Sequence, residues 1–239
     1  MENNQNEDFR NGLNAIGEIL KHVAQGISDF VEENNDKIKE LQYYFENFEE
    51  INSGLWARAA EKGWFPNDFI PSDFWEHVDK DRDSFDAFMS KEIENSIDDI
   101  HQQLAELYPA RKAIFDVAFE LHKENNYIAA IPLFLSQTDG IFAQSLGSYL
   151  FSERDKRIMK IQELIEAKPE MAIILAPLLQ DTEFGARISN AKRTHKDKAP
   201  NRNGILHGSR KHLDYATNLN SLKCISLLAY VATIFTEGQ

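Results

Sequence analysis

The chain carries a single cysteine, Cys224, in 239 residues. One thiol closes no disulfide framework and supplies no thiolate metal cluster, and its apolar helical surroundings mark it as core; a reducing cytosol is the expected setting. Long apolar runs are missing as well. None approaches the roughly 20 residues that span a bilayer, and Met1 to Asp8 are polar and acidic where a signal peptide needs an apolar core. A soluble, cytoplasmic chain with no membrane attachment is expected. No glycine-rich phosphate loop appears, and no His/Asp/Glu set has the spacing of a zinc or di-iron site, so neither metal nor cofactor is expected. Positive charge is also in deficit: 26 Lys and Arg face 39 Asp and Glu, a net charge of −13. Such a surface repels nucleic acid, so any RNA contact must come from a local patch.

What is present is helical spacing, with no alternating strand pattern to compete. Leu13, Ile16, Leu20, Val23, Ile27 and Phe30 advance by threes and fours, and Ile38, Leu41, Phe45 and Phe48 do so again, so two amphipathic helices open the chain. Trp56, Trp64, Phe65, Phe69, Phe74 and Trp75 then crowd a connector broken by Pro66 and Pro71. Large aromatics mostly serve cores, so this segment reads as a lid over a bundle or a hinge. Helices are expected over residues 84–107, 110–123 and 127–150, around Ile158, Ile161 and Ile165, and over 218–235, with Leu222, Ile225, Ala229 and Ala232 as the last buried stripe. The expected fold class is all-α, with N-terminal helices and connector over 1–83 and a helical domain over 84–239.

Against the acidic background one stretch is basic. Arg187, Lys192, Arg193, Lys196, Lys198, Arg202, Arg210 and Lys211 accompany His195, His207 and His212, with Asp197 as the only acid among them. A basic run is often only a solvated loop. This one leads into Arg202-Asn203-Gly204-Ile205-Leu206-His207-Gly208, where an arginine can stabilise a phosphorane-like transition state and a histidine can move protons. Lys192, Arg193, Lys196, Lys198, Arg210 and Lys211 would then form an RNA-binding funnel.

Pro200 suits a first helical turn and Gly208 a C-terminal stop, so residues 200–207 read as a short helix that Ile205 and Leu206 anchor to the core. Arg202 and His207 then stand about 140° apart around the axis, whereas Asn203 and His207 share a face. Asn203 is therefore expected to orient the imidazole. The two main groups do not converge on one phosphate unless a second copy supplies what is missing. A surface ion pair and a helix-capping histidine are the plainer account of the same residues.

Arg202-Asn203 followed after three residues by His207, set just before a long C-terminal helix in an all-helical chain, resembles the Arg-polar-x-x-x-His motif of HEPN domains. Gly204, the turn Asp214-Tyr215-Ala216-Thr217 and the final helix extend the resemblance over residues 84–239. It implies a HEPN-like helical bundle with additional N-terminal helices, and a metal-independent endoribonuclease whose composite site forms at a homodimer interface. It implies His207 as general acid and base, Arg202 as phosphate holder, Asn203 as support, and a 2′,3′-cyclic phosphate product. A prokaryotic toxin or antiviral defence setting, with an antitoxin or defence-system partner, is implied too. The chain departs from adenylylation-controlled members, which can carry a tyrosine two residues after the histidine, because Ser209 stands there.

Asp139 shares a helical stripe with Leu135, Phe142 and Leu146, which puts a carboxylate on the buried side. It either pairs with Arg202 or His207 across the bundle or makes a structural bond to a neighbouring segment. His22, His77, His101 and His122 read as solvated surface. From a different class, a non-catalytic nucleotide- or RNA-binding helical module or adaptor fits the same residues. A shared basic cleft between two copies of His207 would separate the nuclease from it.

Overall fold

The computed structural model describes residues 21, 39, 43, 47–65, 67–188 and 199–236. Most of the two opening helices, His22, and the basic residues Lys192, Arg193, His195, Lys196 and Lys198 lie outside them. Among the described residues all regular structure is helical, with no strand. No described helix is long and apolar enough to cross a membrane. The chain divides into two compact units, residues 1–51 and 52–239.

The elements are α1 (Phe48–Glu61), α2 (Trp75–Val78), α3 (Arg82–Asn95), α4 (Ile97–Leu107), α5 (Lys112–Lys123), α6 (Tyr127–Leu146), α7 (Arg154–Ala167), α8 (Ala172–Leu179), α9 (Arg202–Leu206) and α10 (Asn218–Ile234). Sequence texture puts a division after residue 83, yet residues 52–83 fall in the second unit. Ala59, Ala60, Trp64, Phe65 and Val78 are buried in the same core as α10. Of the connector's aromatics Trp64, Phe65 and Phe74 are buried, Trp56 and Phe69 pack half-buried against the core, and Trp75 is exposed.

The second unit is organised around α10, which packs against α6, α3 and α4, while α5 packs on α6 and α7 on α8. The expected stripe is too narrow: Ser221, Lys223, Cys224, Ser226, Leu227, Leu228, Tyr230 and Val231 are buried along with it. A helix without a solvent face must satisfy its polar side chains inside the protein. Here Ser221, Ser226 and Lys223 each find a partner on a different segment. Ser221 Oγ meets the ring of His122 on α5 at 2.8 Å. Ser226 Oγ donates to Phe65 O at 2.8 Å and accepts from Phe65 N at 3.0 Å. Lys223 Nζ lies 3.0 Å from Asp86 on α3, whose carboxylate also accepts the Trp64 indole N–H at 2.6 Å. These bonds fix the register of α10 against three neighbours.

Other boundaries depart from the helical spacing for local reasons. The expected helix 84–107 breaks at Ser96, with φ −108° and ψ 7°, where two residues of low helix propensity, Asn95 and Ser96, adjoin. The helix expected to reach residue 150 stops at Leu146, since Gly147 takes a left-handed φ of 65°. Pro132 lies inside α6 and cannot donate to Ile128 O; the Tyr215 hydroxyl donates there instead, at 2.7 Å. That bond ties the turn before α10 to the first turns of α6.

The histidines also depart from the expected solvated surface. His122 is buried on Ser221, His101 bonds Asp116 at 2.8 Å and stacks on Phe119, and His77 stacks on Phe88. Imidazole has an apolar face, which lets it serve packing and a hydrogen bond together.

Burial lowers the Lys223 ammonium from 10.5 to about 8, although Asp86 pulls the other way. Between those values the unfolded chain binds a proton that the folded chain lacks, so folding becomes more favourable as pH rises through this window. Urea unfolding at stepped pH is expected to show the parent gaining on Lys223→Met by up to about 3 kcal/mol across it. A pH-independent difference would show that Lys223 remains charged in the fold.

Candidate active site

Three segments meet at the Arg202 region: α9, the loop 147–153, and the middle of α6. The short helix begins one residue beyond Asn201, which caps it, and Pro200 precedes the cap where a first-turn position is expected. Asn201 is fully buried and its Oδ1 accepts from Gly204 N at 2.7 Å. Its Nδ2 donates to Glu183 O and Ala186 O at 3.1 and 2.8 Å, so one carboxamide both starts α9 and moors it to the turn Glu183–Gly185. Gly208 ends the segment with φ 62°, a conformation that favours glycine. Ile205 anchors α9 in the core, but Leu206 is 38% exposed, because five residues make too short a helix to bury both.

The Arg202 guanidinium turns inward. Its Nη2 donates to Asp139 Oδ2 at 2.8 Å, its Nη1 to Asn203 Oδ1 at 3.2 Å, and its plane lies over the Phe151 ring at 5.9 Å. Asp139 is buried and accepts Leu150 N on its other oxygen at 2.9 Å. Burial pushes its carboxyl above the ordinary range, while the Arg202 charge and the Leu150 and Phe151 amides pull it back. Of the two partners that sequence offers Asp139, the structure supplies Arg202, together with a bond to a neighbouring loop. Two of the five guanidinium N–H groups are engaged by carboxylate and carboxamide and Nε is buried without a partner, which leaves one N–H on each Nη for a further anion.

His207 stands apart from this cluster. It is exposed at the C-terminal end of α9, and its imidazole makes no hydrogen bond among the described residues. Asn203 does not orient it. The Asn203 carboxamide accepts from Arg202 and donates to Phe151 O at 3.5 Å, so the link to His207 is the backbone bond from His207 N to Asn203 O at 3.1 Å. Sharing a helical face was not enough, because the arginine next door is the closer and stronger partner. Arg210 and Lys211 lie exposed in the following turn, Arg210–His212.

Four participants escape a reading of the motif alone. Phe151 forms the floor under Arg202. Arg157, buried on α7, donates to Leu150 O at 2.9 Å and to Gln180 O at 3.3 Å, pinning the loop that receives Asp139. Asn201 is the cap described above. His212 is buried with its ring against Gly204: a Cβ at position 204 would fall 2.2 Å from His212 Cδ2. Only Asn201 carried a local signal, as a capping residue before a short apolar run; the rest depend on long-range folding.

No protein-family model, curated protein or solved structure matches the chain.

Breaking a buried ion pair from one side strands the other charge, at a cost of about 3–5 kcal/mol. Asp139→Ala is expected to lose that much in urea unfolding, and Arg202→Ala added to Asp139→Ala is expected to cost little more. Strict additivity of the two substitutions would show that the pair contributes no coupling.

Proposed function

We propose that this chain is a metal-independent endoribonuclease of the HEPN type, acting at a composite site formed by two copies in a prokaryotic toxin or antiviral defence system. The observation that carries the reading is the division of labour on α9: Arg202 is clamped from behind by Asp139 with donors remaining, and His207 is offered to solvent five residues on. A guanidinium held rigid by a carboxylate is preorganised for the charge that develops on a phosphorane. An exposed imidazole offers a proton donor on one nitrogen and an acceptor on the other.

Cleavage by this constellation starts with removal of the RNA 2′-hydroxyl proton by one imidazole. The 2′-oxygen attacks phosphorus, and Arg202 stabilises the pentacoordinate oxygens. The P–O5′ bond breaks as a second imidazole protonates the leaving oxygen, giving a 2′,3′-cyclic phosphate and a 5′-hydroxyl. Because Arg202 faces inward and His207 outward, a second copy is the source of the second imidazole. DNA, without the 2′-hydroxyl, resists. Asn203 positions Arg202 in this scheme. Arg210 and Lys211 add positive charge beside the site, and Lys192, Arg193, Lys196 and Lys198 precede the motif in sequence as further RNA-binding cations. Ser209 caps the turn after the motif through Lys211 N, so an antitoxin or defence-system partner would act elsewhere than through a tyrosine at that position.

A second reading draws on the neutralisation of Arg202 by Asp139: a nucleotide- or RNA-binding helical module or adaptor that holds phosphate without cutting it.

RNA cleavage in EDTA decides between them. His207→Ala, at an exposed position, is expected to leave folding intact and lower the rate by roughly two to four orders of magnitude. Arg202→Ala is expected to lose a comparable factor, and Asn203→Ala less. Light scattering is expected to give a dimer. Cleavage that requires added divalent metal, or that proceeds equally in His207→Ala, refutes the catalytic assignment.

A further inference from the structure

The loop 147–153 lines the site and presents one aromatic side chain to solvent. Ser148, Leu150 and Phe151 are buried, at 1, 4 and 6% exposure, whereas the Tyr149 side chain between them is 52% exposed. A lone exposed aromatic is ordinary on a protein surface. Two features set this one apart. First, its backbone is fixed on both sides: Tyr149 N donates to Glu153 Oε2 at 2.9 Å, Leu150 N to Asp139, and Leu150 O accepts from the buried Arg157. Phe151 O, two residues on, accepts from Asn203. The ring is therefore presented on an ordered backbone with only two side-chain torsions to fix, the circumstance in which an aromatic contact loses least entropy on binding.

Second, its Cα is close to the phosphate-holding group. The path from Tyr149 Cα through the Leu150 amide and the Asp139 carboxylate to Arg202 Nη2 contains two hydrogen bonds, of 2.9 and 2.8 Å, and otherwise covalent spacings. The two atoms therefore lie within about 10 Å of each other.

We propose that Tyr149 is the stacking platform for the nucleobase next to the phosphate held by Arg202, so that the site takes RNA whose bases are unpaired. The assignment rests on the phosphate-site reading of Arg202. It adds the element that reading lacks, because a guanidinium and an imidazole recognise the sugar-phosphate chain and an aromatic face recognises an unstacked base. Base stacking also suits an acidic protein, since it supplies affinity without further positive charge.

Fluorescence anisotropy of a labelled, unstructured RNA oligonucleotide tests this on the full chain carrying His207→Ala, which binds without cutting in the proposed scheme. Adding Tyr149→Ala is expected to weaken binding about 5- to 100-fold, the range for loss of one base–aromatic stack. Tyr149→Phe, which keeps the face of the ring, is expected to bind as the parent does, and Tyr149→Leu to fall with alanine. An oligonucleotide lacking the base at the stacking position is expected to bind parent and Tyr149→Ala alike. Equal binding of the full oligonucleotide by parent and Tyr149→Ala, or full retention by Tyr149→Leu, overturns the platform and leaves the phosphate site standing. No binding of RNA by the parent overturns both.

Discussion

A carboxylate taken out of water has to be matched, and the burial of Asp139 is the constraint from which the geometry of this site follows. Its two oxygens draw in groups from opposite directions: the Arg202 guanidinium from α9 and the Leu150 amide from the loop after α6. Segments far apart in sequence thereby close on the middle of one helix. The same constraint sets the direction of the motif. With Arg202 committed inward, the short helix has only its outer side for His207, and the proton-transfer group and the charge-stabilising group face different surroundings.

The site rests on aromatic stacking that runs deep into the second unit. Arg202 lies over Phe151, Phe151 stacks with Phe184, Phe184 meets Phe65 edge-on, and Phe65 meets Tyr230 of α10. Tyr230 in turn contacts Trp56, which meets Phe74. The aromatic segment before α3 is thus the foundation on which the floor of the site is laid. Ring stacks of this kind contribute beyond their buried area and hold their geometry, which is what a group awaiting a transition state requires.

Period and composition made the helical class legible, and they put Asp139 beside Leu135 and Phe142 on the inner face of α6. They could not name its partner, because Arg202 lies 63 residues away and the pairing depends on how α9 docks. The polar positions of α10 were misleading for a related reason. Ser221, Lys223 and Ser226 look like a solvent face until His122, Asp86 and the Phe65 backbone arrive to match them. Asn203 shows the limit of helical-face reasoning in miniature: spacing identified its neighbour four residues on, while the strength of a charged donor one residue away decided where the carboxamide went.

The contact between Gly204 and the ring of His212 carries an evolutionary consequence. The glycine inside the Arg-Asn-Gly run is dictated by a steric clash, so its presence reports on packing and not on chemistry. Positions 204 and 212 can drift only together, with a side chain appearing at one as the ring shrinks at the other. A descendant that replaced both could keep Arg202 and His207 in place while spelling the run between them differently, and a search that insisted on the glycine would pass it by.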